Sequence, residues 1–275
     1  MTPAAALRLI SALIGASAIA LASSAVRPAA AEPVEQFYKG RALTMLVGNS
    51  PGGINDISAR LVARHLSRFI PGAPTIVVQN NPGAGGLITA NRLYFNADRD
   101  GSVLAKLERA VPQLAILGNP NAQFDPAKFT WLGSLSSYAS DAYLMLVNAH
   151  HPAMSVADLK SAGLSVALGA DNAASSNLIF AVIAREVLAL IEFAELPFFM
   201  ALPFAAPPEI PPDRAEALQT AFTAMCVDTA FLEEAQKLGI EMSPITGQQI
   251  LRLLAETAAM PPDMITRYNR IAEKK

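Results

Sequence analysis

The chain has 275 residues, a formal net charge of −2 and no basic block, so charge gives it no hold on nucleic acid. Cys226 is its only cysteine, which excludes an internal disulfide and a thiolate metal centre and leaves packing to hold the fold. Apolar residues make up 52% and charged residues 16%, an apolar excess that raises the question of a membrane protein.

The N-terminus supplies part of that excess. Arg8 is followed by an apolar run from Leu9 to Val26 and then by Ala29-Ala30-Ala31 before Glu32. A cation, an apolar stretch and a small-residue end are the parts of a cleavable export signal. A run of 18 residues nearly spans a bilayer, so an uncleaved anchor is the competing reading. The Ser, Gly and Ala content favours cleavage, with 1–31 removed from an exported protein. Further on, the most apolar stretch (178–204) is interrupted by Arg185, Glu186, Glu192, Glu195 and Pro197, which argues against a second span.

Beyond the leader, short apolar runs alternate with helical periodicity. "ALTMLV" (42–47) predicts a buried strand, and 55–70 a helix. Ile57, Leu61, Leu66 and Phe69 or Ile70 form its apolar stripe, with Val62 flanking, while Arg60, Arg64 and Arg68 line another face. Asn55 or Asp56 suits the N-cap, and Asp56 reaches Arg60 four residues on. "TIVVQN" (75–80) and "GSVLAKL" (101–107) read as the next strands, with a helix over 86–95 between them. Strand, helix, strand, helix, strand is the order of a parallel, doubly wound sheet.

The segment 118–134, rich in Asn, Pro and Gly, reads as loop. Strands are expected at 142–149 and 164–170, a short helix from Ser155 to Gly163, and a helix over 178–190. "MALPFAAP" (200–207) is a candidate strand in a Pro-rich stretch. Four helices close the chain, at 213–225, 229–239, 247–259 and 262–275. No internal repeat appears at solenoid periods.

Both of the first two strand-to-helix connections are glycine-rich: "VGNSPGGIND" (47–56) and "QNNPGAGG" (79–86). Gly48-Asn49-Ser50-Pro51-Gly52 matches the G-x-S-x-G nucleophile elbow, so a serine hydrolase at Ser50 is the sharpest enzymatic alternative. That elbow uses the backbone N–H of the residue after the serine, and Pro51 has none. The histidines, His65, His150 and His151, are badly supplied for a triad. Dinucleotide and P-loop glycine spacings are absent, so no cofactor is expected. The adjacent His150 and His151 lack a third ligand, so no metal is expected either.

What remains is anion capture by main-chain amides. Glycine lets the backbone approach a ligand, and helix N-termini carry unsatisfied N–H groups with partial positive charge. Ser50, Gly52, Gly53, Gly83, Ala84, Gly85 and Gly86 are the candidate donors. Asp56 opens the helix behind the first corner, and Arg109, after the third strand, can add a bidentate cation at the same sheet edge. Plain tight turns, and a plain surface arginine, are the bland readings of the same residues.

These loops, with "DRDGSVLAKL" (98–107), resemble the substrate-binding proteins of tripartite tricarboxylate transporters (Bug or TctC-type receptors). The resemblance runs from about residue 38 to 190 and from 202 to the end. It implies an α/β, two-lobed periplasmic binding protein of type II, monomeric, whose cleft closes on a small carboxylated solute. Lobe 1 would comprise 32–141 and 202–275, and lobe 2 residues 142–201. The family roles fall on Ser50, Pro51, Gly52 and Gly53 and on Pro82, Gly83, Ala84, Gly85 and Gly86, which would hold one ligand carboxylate. Asn172, Ser175 and Ser176 are the implied contacts from the second lobe. The implied partners are the small and large membrane permease subunits.

One departure stands out. Only 60 residues lie between Ala142 and Ala201, room for about one βαβ unit plus a helix. The second lobe is therefore expected to be truncated, with Phe193, Phe198 and Phe199 short of partners and with ligand affinity impaired or the chain a decayed copy. A sensor or partner-binding module is the non-transport alternative.

Overall fold

The computed structural model describes residues 32–137, 200–259 and 265–266. The leader, the elements expected between 138 and 199, His150 and His151, and most of the last helix lie outside the described residues.

Short helix α1 (Val34–Tyr38) leads into β1 (Ala42–Val47). Helix α2 (Ile54–Leu66) starts one residue before its predicted range, and β2 (Thr75–Asn80), α3 (Leu87–Phe95) and β3 (Val103–Lys106) follow within theirs. Next come α4 (Val111–Ile116) and β4 (Thr130–Ser134). The second described segment adds β5 (Pro203–Ala206), α5 (Pro212–Met225), α6 (Thr229–Lys237), β6 (Ile245–Thr246) and α7 (Gly247–Ala258).

The six strands form one sheet in the order β2-β1-β3-β5-β4-β6. Strands β2 and β3 flank β1 in parallel, as crossover helices require. The other pairings are antiparallel, so the sheet is mixed. Strand β5, entering from residue 200, inserts between β3 and β4 and completes the sheet begun by the first segment.

Alternating side chains send the strands into two cores, one on each face. Leu43, Met45, Leu104, Phe204 and Leu132 pack with Leu61, Leu66, Phe222 and Phe231 on one side. Leu46, Ala105, Ala205 and Trp131 pack with Leu87, Leu93, Ile250 and Leu254 on the other. A sheet covered by helices on both faces is the doubly wound arrangement. None of the described helices is long and apolar enough to cross a membrane.

Two expectations are corrected. The loop reading of 118–134 fails over its last five residues, because β4 is made by partners remote in sequence, Pro203–Ala206 and Ile245–Thr246. Trp131 anchors it, fully buried and donating from Nε1 to the Pro126 carbonyl at 2.9 Å. The N-cap of α2 is Gly53, with no side-chain bond, so Asn55 and Asp56 lie inside the first turn.

The arginine face of α2 is not a solvated stripe; it docks α6. Arg64 pairs with Glu234, and Arg68 with Asp228 at 2.8 Å. His65 Nε2 lies 2.6 Å from Glu234 Oε2, and Arg68 Nη2 is 2.9 Å from His65 Nδ1. The Phe231 N–H and then Arg68 hold the Asp228 carboxyl below its ordinary range. The His65 hydrogen bond, then Arg64, does the same for Glu234.

Because the folded values lie below the unfolded ones, this stabilisation is present in full above pH about 5 and is lost as pH falls through the folded values. The urea midpoint is therefore expected to drop between pH 5 and 3. The drop should be smaller in an Asp228→Asn/Glu234→Gln double variant, measured by equilibrium unfolding across that range.

Candidate functional site

The three parallel strands end together: β1 at Val47, β2 at Asn80 and β3 at Lys106. In open α/β sheets this carboxyl edge is where ligands bind. From it leave the first corner (48–53), the second corner (81–86) and a third loop (107–110).

The corners touch through glycine. A Cβ on Gly48 would sit 2.9 Å from Gly86 Cα, closer than real side chains come, so backbone packs on backbone there. A Cβ on Gly86 would in turn meet Glu108 Cβ at 3.1 Å, which brings the third loop into the same cluster. The second corner runs through four consecutive positive φ values: Gly83 at 149°, Ala84 at 47°, Gly85 at 62° and Gly86 at 90°. Only glycine takes such angles without strain, and Ala84 bears the cost of one of them.

Asp56 organises the first corner. Its carboxylate accepts from the Gly52 N–H at 2.9 Å, from Arg60 Nε at 3.0 Å and from Asn80 Nδ2 at 2.9 Å. Asn80 Nδ2 also donates to the Asn49 carbonyl at 3.0 Å, tying the end of β2 to the first corner. Burial pushes the Asp56 carboxyl up, but the bonds from Arg60, Gly52 and Asn80 outweigh it and hold the group below the usual range.

A second network lies beneath. Lys106 Nζ, fully buried, donates to Asn55 Oδ1 and to the Leu107 carbonyl, both at 2.7 Å. Asn55 Nδ2 donates to Glu108 Oε2 at 2.7 Å, so the first turn of α2 is bonded to the third loop. Burial lowers the Lys106 pKa to about 8, with Glu108 opposing and Arg109 reinforcing.

Against this geometry the predicted residues divide. Ser50, Pro51, Gly52 and Gly53 are exposed at the first corner, as are Pro82 and Ala84 at the second. Gly83 and Gly85 are half-buried, and Gly86 is buried. Two donors are corrected: the Gly52 N–H is spent on Asp56, and the Gly86 N–H on the Gly83 carbonyl at 3.0 Å. Asp56 acts as a brace, with both its oxygens engaged inside the corner. Arg109 is half-buried in the third loop. Asn172, Ser175 and Ser176 lie outside the described residues.

The first α2 bond runs from the Ile57 N–H to the Gly53 carbonyl at 2.9 Å. The amides of Ile54, Asn55 and Asp56 therefore have no partner within the helix and face the open end. Sequence reasoning missed Asn55, Asn80, Lys106 and Glu108. The lysine had a signal, a lone charge inside an apolar strand.

A hydrolase is not assembled among the described residues. His65 sits eleven residues along α2 from its start, roughly 16 Å away, and its ring is engaged by Glu234 and Arg68. No group of three or more potential metal ligands occurs among the described residues.

The Asp56 brace predicts a variant. Asp56→Asn keeps the shape but turns an acceptor into a donor facing Gly52 or Arg60. It should lower stability by about 1–3 kcal/mol at pH 7, read by urea unfolding, with the loss shrinking toward pH 3.

No family model matches the chain. It is 30% identical over 129 residues to the UPF0065 protein in gbd 5'region of Cupriavidus necator, a match covering 46% of this chain and 38% of that protein. It thus matches less than two-fifths of that relative's length. Among solved structures, the periplasmic binding protein BugD aligns with a TM-score of 0.54 at 16% identity, over 85% of this chain and 98% of its own. A TctC solute binding protein from Polaromonas gives 0.52 at 16% identity, over 84% and 99%. R. palustris Rpa4515, solved with adipate, gives 0.54 at 18% identity, over 85% and 96%. The doubly covered mixed sheet and the sequence likeness lead to one group: this chain has the fold of the Bug- and TctC-type periplasmic binding proteins and resembles a Bug-family protein in sequence.

Proposed function

We propose that the chain is an exported solute-binding receptor that holds a small carboxylate on the main-chain amides of its two glycine corners. It works in the periplasm after loss of residues 1–31 and passes the solute to the membrane subunits of a tripartite tricarboxylate-type transporter. Residues 32–141 and 202–275 form the lobe that carries the corners, and 142–201 form the opposing lobe, which supplies Asn172, Ser175 and Ser176. The reading involves no catalysis.

The observation that carries it is the convergence of the first and second corners, in contact at Gly48 and Gly86, on the carboxyl edge of three parallel strands. The unpaired first-turn amides of α2 and the backbone of Gly83 to Gly85 supply donors without a side chain, and the helix end adds a favourable field for an anion. The adipate in the Rpa4515 structure makes a carboxylate the first solute class to test.

Titration calorimetry of the purified mature protein with succinate, adipate and citrate is expected to give saturable binding. The matching uncharged diamides should not bind. Heats from the diamides as large as those from the acids would contradict the reading.

Ile54→Pro tests the amides themselves. Proline fits the first helical position, and Gly53 before it is already extended at φ −82° and ψ 171°. The variant should fold normally yet lose about tenfold in affinity, the cost of one charge-assisted hydrogen bond. A folded variant with unchanged affinity would remove α2 from the site.

A further inference from the structure

Lys106 is the residue that breaks the local pattern of its strand. It ends the apolar β3, and its register partners are Val47 on β1 and Phe204 on β5, both fully buried and uncharged. A leucine would fill that position without desolvating a charge, a cost of several kcal/mol before any compensation. The chain instead keeps an ammonium there with no exposure to solvent.

The surroundings show what the charge is fastened to. One N–H goes to the Leu107 carbonyl and one to Asn55 Oδ1. The other end of the Asn55 amide donates to Glu108, so the two charged neighbours orient it in one sense: oxygen toward the ammonium, nitrogen toward the carboxylate. Asn55 sits in the first turn of α2, whose amides form the open face of the first corner. Glu108 abuts Gly86 at the base of the second corner. The Lys106-Asn55-Glu108 chain therefore bonds the first turn of α2 to the third loop, which in turn packs against the second corner at Gly86.

We propose that Lys106 is the positioning residue and the buried positive charge of the carboxylate site: through Asn55 it holds the α2 corner against the third loop, and its ammonium sets the potential that favours an anion there. The assignment rests on the receptor reading above. It has a functional consequence that a neutral brace would lack, because carboxylate affinity then depends on the protonation of a group that the solute never touches.

The charged groups facing Lys106 are few among the described residues. Glu108 and Arg109 flank it on its own loop, Asn55 is neutral, and Val47 and Phe204 from the neighbouring strands carry no charge. Burial lowers the ammonium's pKa to about 8, so the charge disappears within the range in which the protein can be handled. The signs of the two consequences are opposite. The folded value lies below the unfolded one, so the desolvation penalty is present in full below pH 8 and fades as pH rises toward the unfolded lysine value. Stability should climb over the same interval in which affinity for an anion falls.

The test is calorimetry of wild type and Lys106→Met with succinate, adipate and citrate at pH 7, 8, 9 and 10, with thermal midpoints recorded alongside. Wild-type affinity is expected to fall about tenfold from pH 7 to 10, the effect of one nearby charge across a protein interior. Lys106→Met should bind about tenfold more weakly at pH 7 with a flat profile. The midpoint of wild type relative to Lys106→Met should rise with pH above 8. The wild-type profile and midpoints stand on their own if the variant does not fold.

A wild type that binds these acids with pH-independent affinity, or a folded Lys106→Met with wild-type affinity and profile, overturns the assignment and leaves the receptor reading intact. A wild type that binds none of them at any pH overturns both.

Discussion

The contact between Gly48 and Gly86 is the constraint on which the proposed site depends. Parallel strands deliver chain ends side by side at one edge of the sheet, but the loops leaving them ordinarily splay around their own side chains. Here a Cβ at Gly48 would lie 2.9 Å from backbone, so two main chains meet with nothing between them. That closeness lets Asn80, at the end of one strand, donate to the Asn49 carbonyl in the loop leaving another and to Asp56 in the helix that follows it. The bonds and the contact reinforce each other, and together they fix where the free amides point.

The electrostatics follow from that geometry and are arranged in two tiers. Asp56 uses its carboxylate on the Gly52 N–H, Arg60 and Asn80, which stiffens the first corner, and the Arg60 ion pair offsets its negative charge toward a bound anion. Deeper, Lys106 and Glu108 are joined by one amide rather than in direct contact. A buried cation whose partner is held at one remove keeps more of its outward field than a tight ion pair does. Preorganised donors over such a charge suit an anion and offer little to a neutral solute.

Much of the framework was legible from local patterning. Residues 42–47, 75–80 and the strand ending at Lys106 announced themselves by short apolar runs, and the helices between them by their period. Strand β4 was not, because Thr130–Ser134 becomes a strand only through pairing with residues some seventy and more than a hundred positions away. At the site, the glycine corners were visible because glycine marks backbone geometry directly. The pairing of Gly52, Gly86 and Asp56 was not legible, because a sequence lists donors and acceptors without saying which have already paired. Asn55, Asn80 and Lys106 escaped for the same reason, since their importance lies in bonds to other segments.

The claim at the centre of this account is that main-chain amides at two corners receive the solute. Amide chemical-shift mapping of the labelled mature protein during titration with adipate tests it most directly. The account predicts that the largest nitrogen and proton shifts fall on Ile54, Asn55, Asp56, Gly83, Ala84 and Gly85. Saturable binding that leaves those six amides unmoved while shifting others would contradict it.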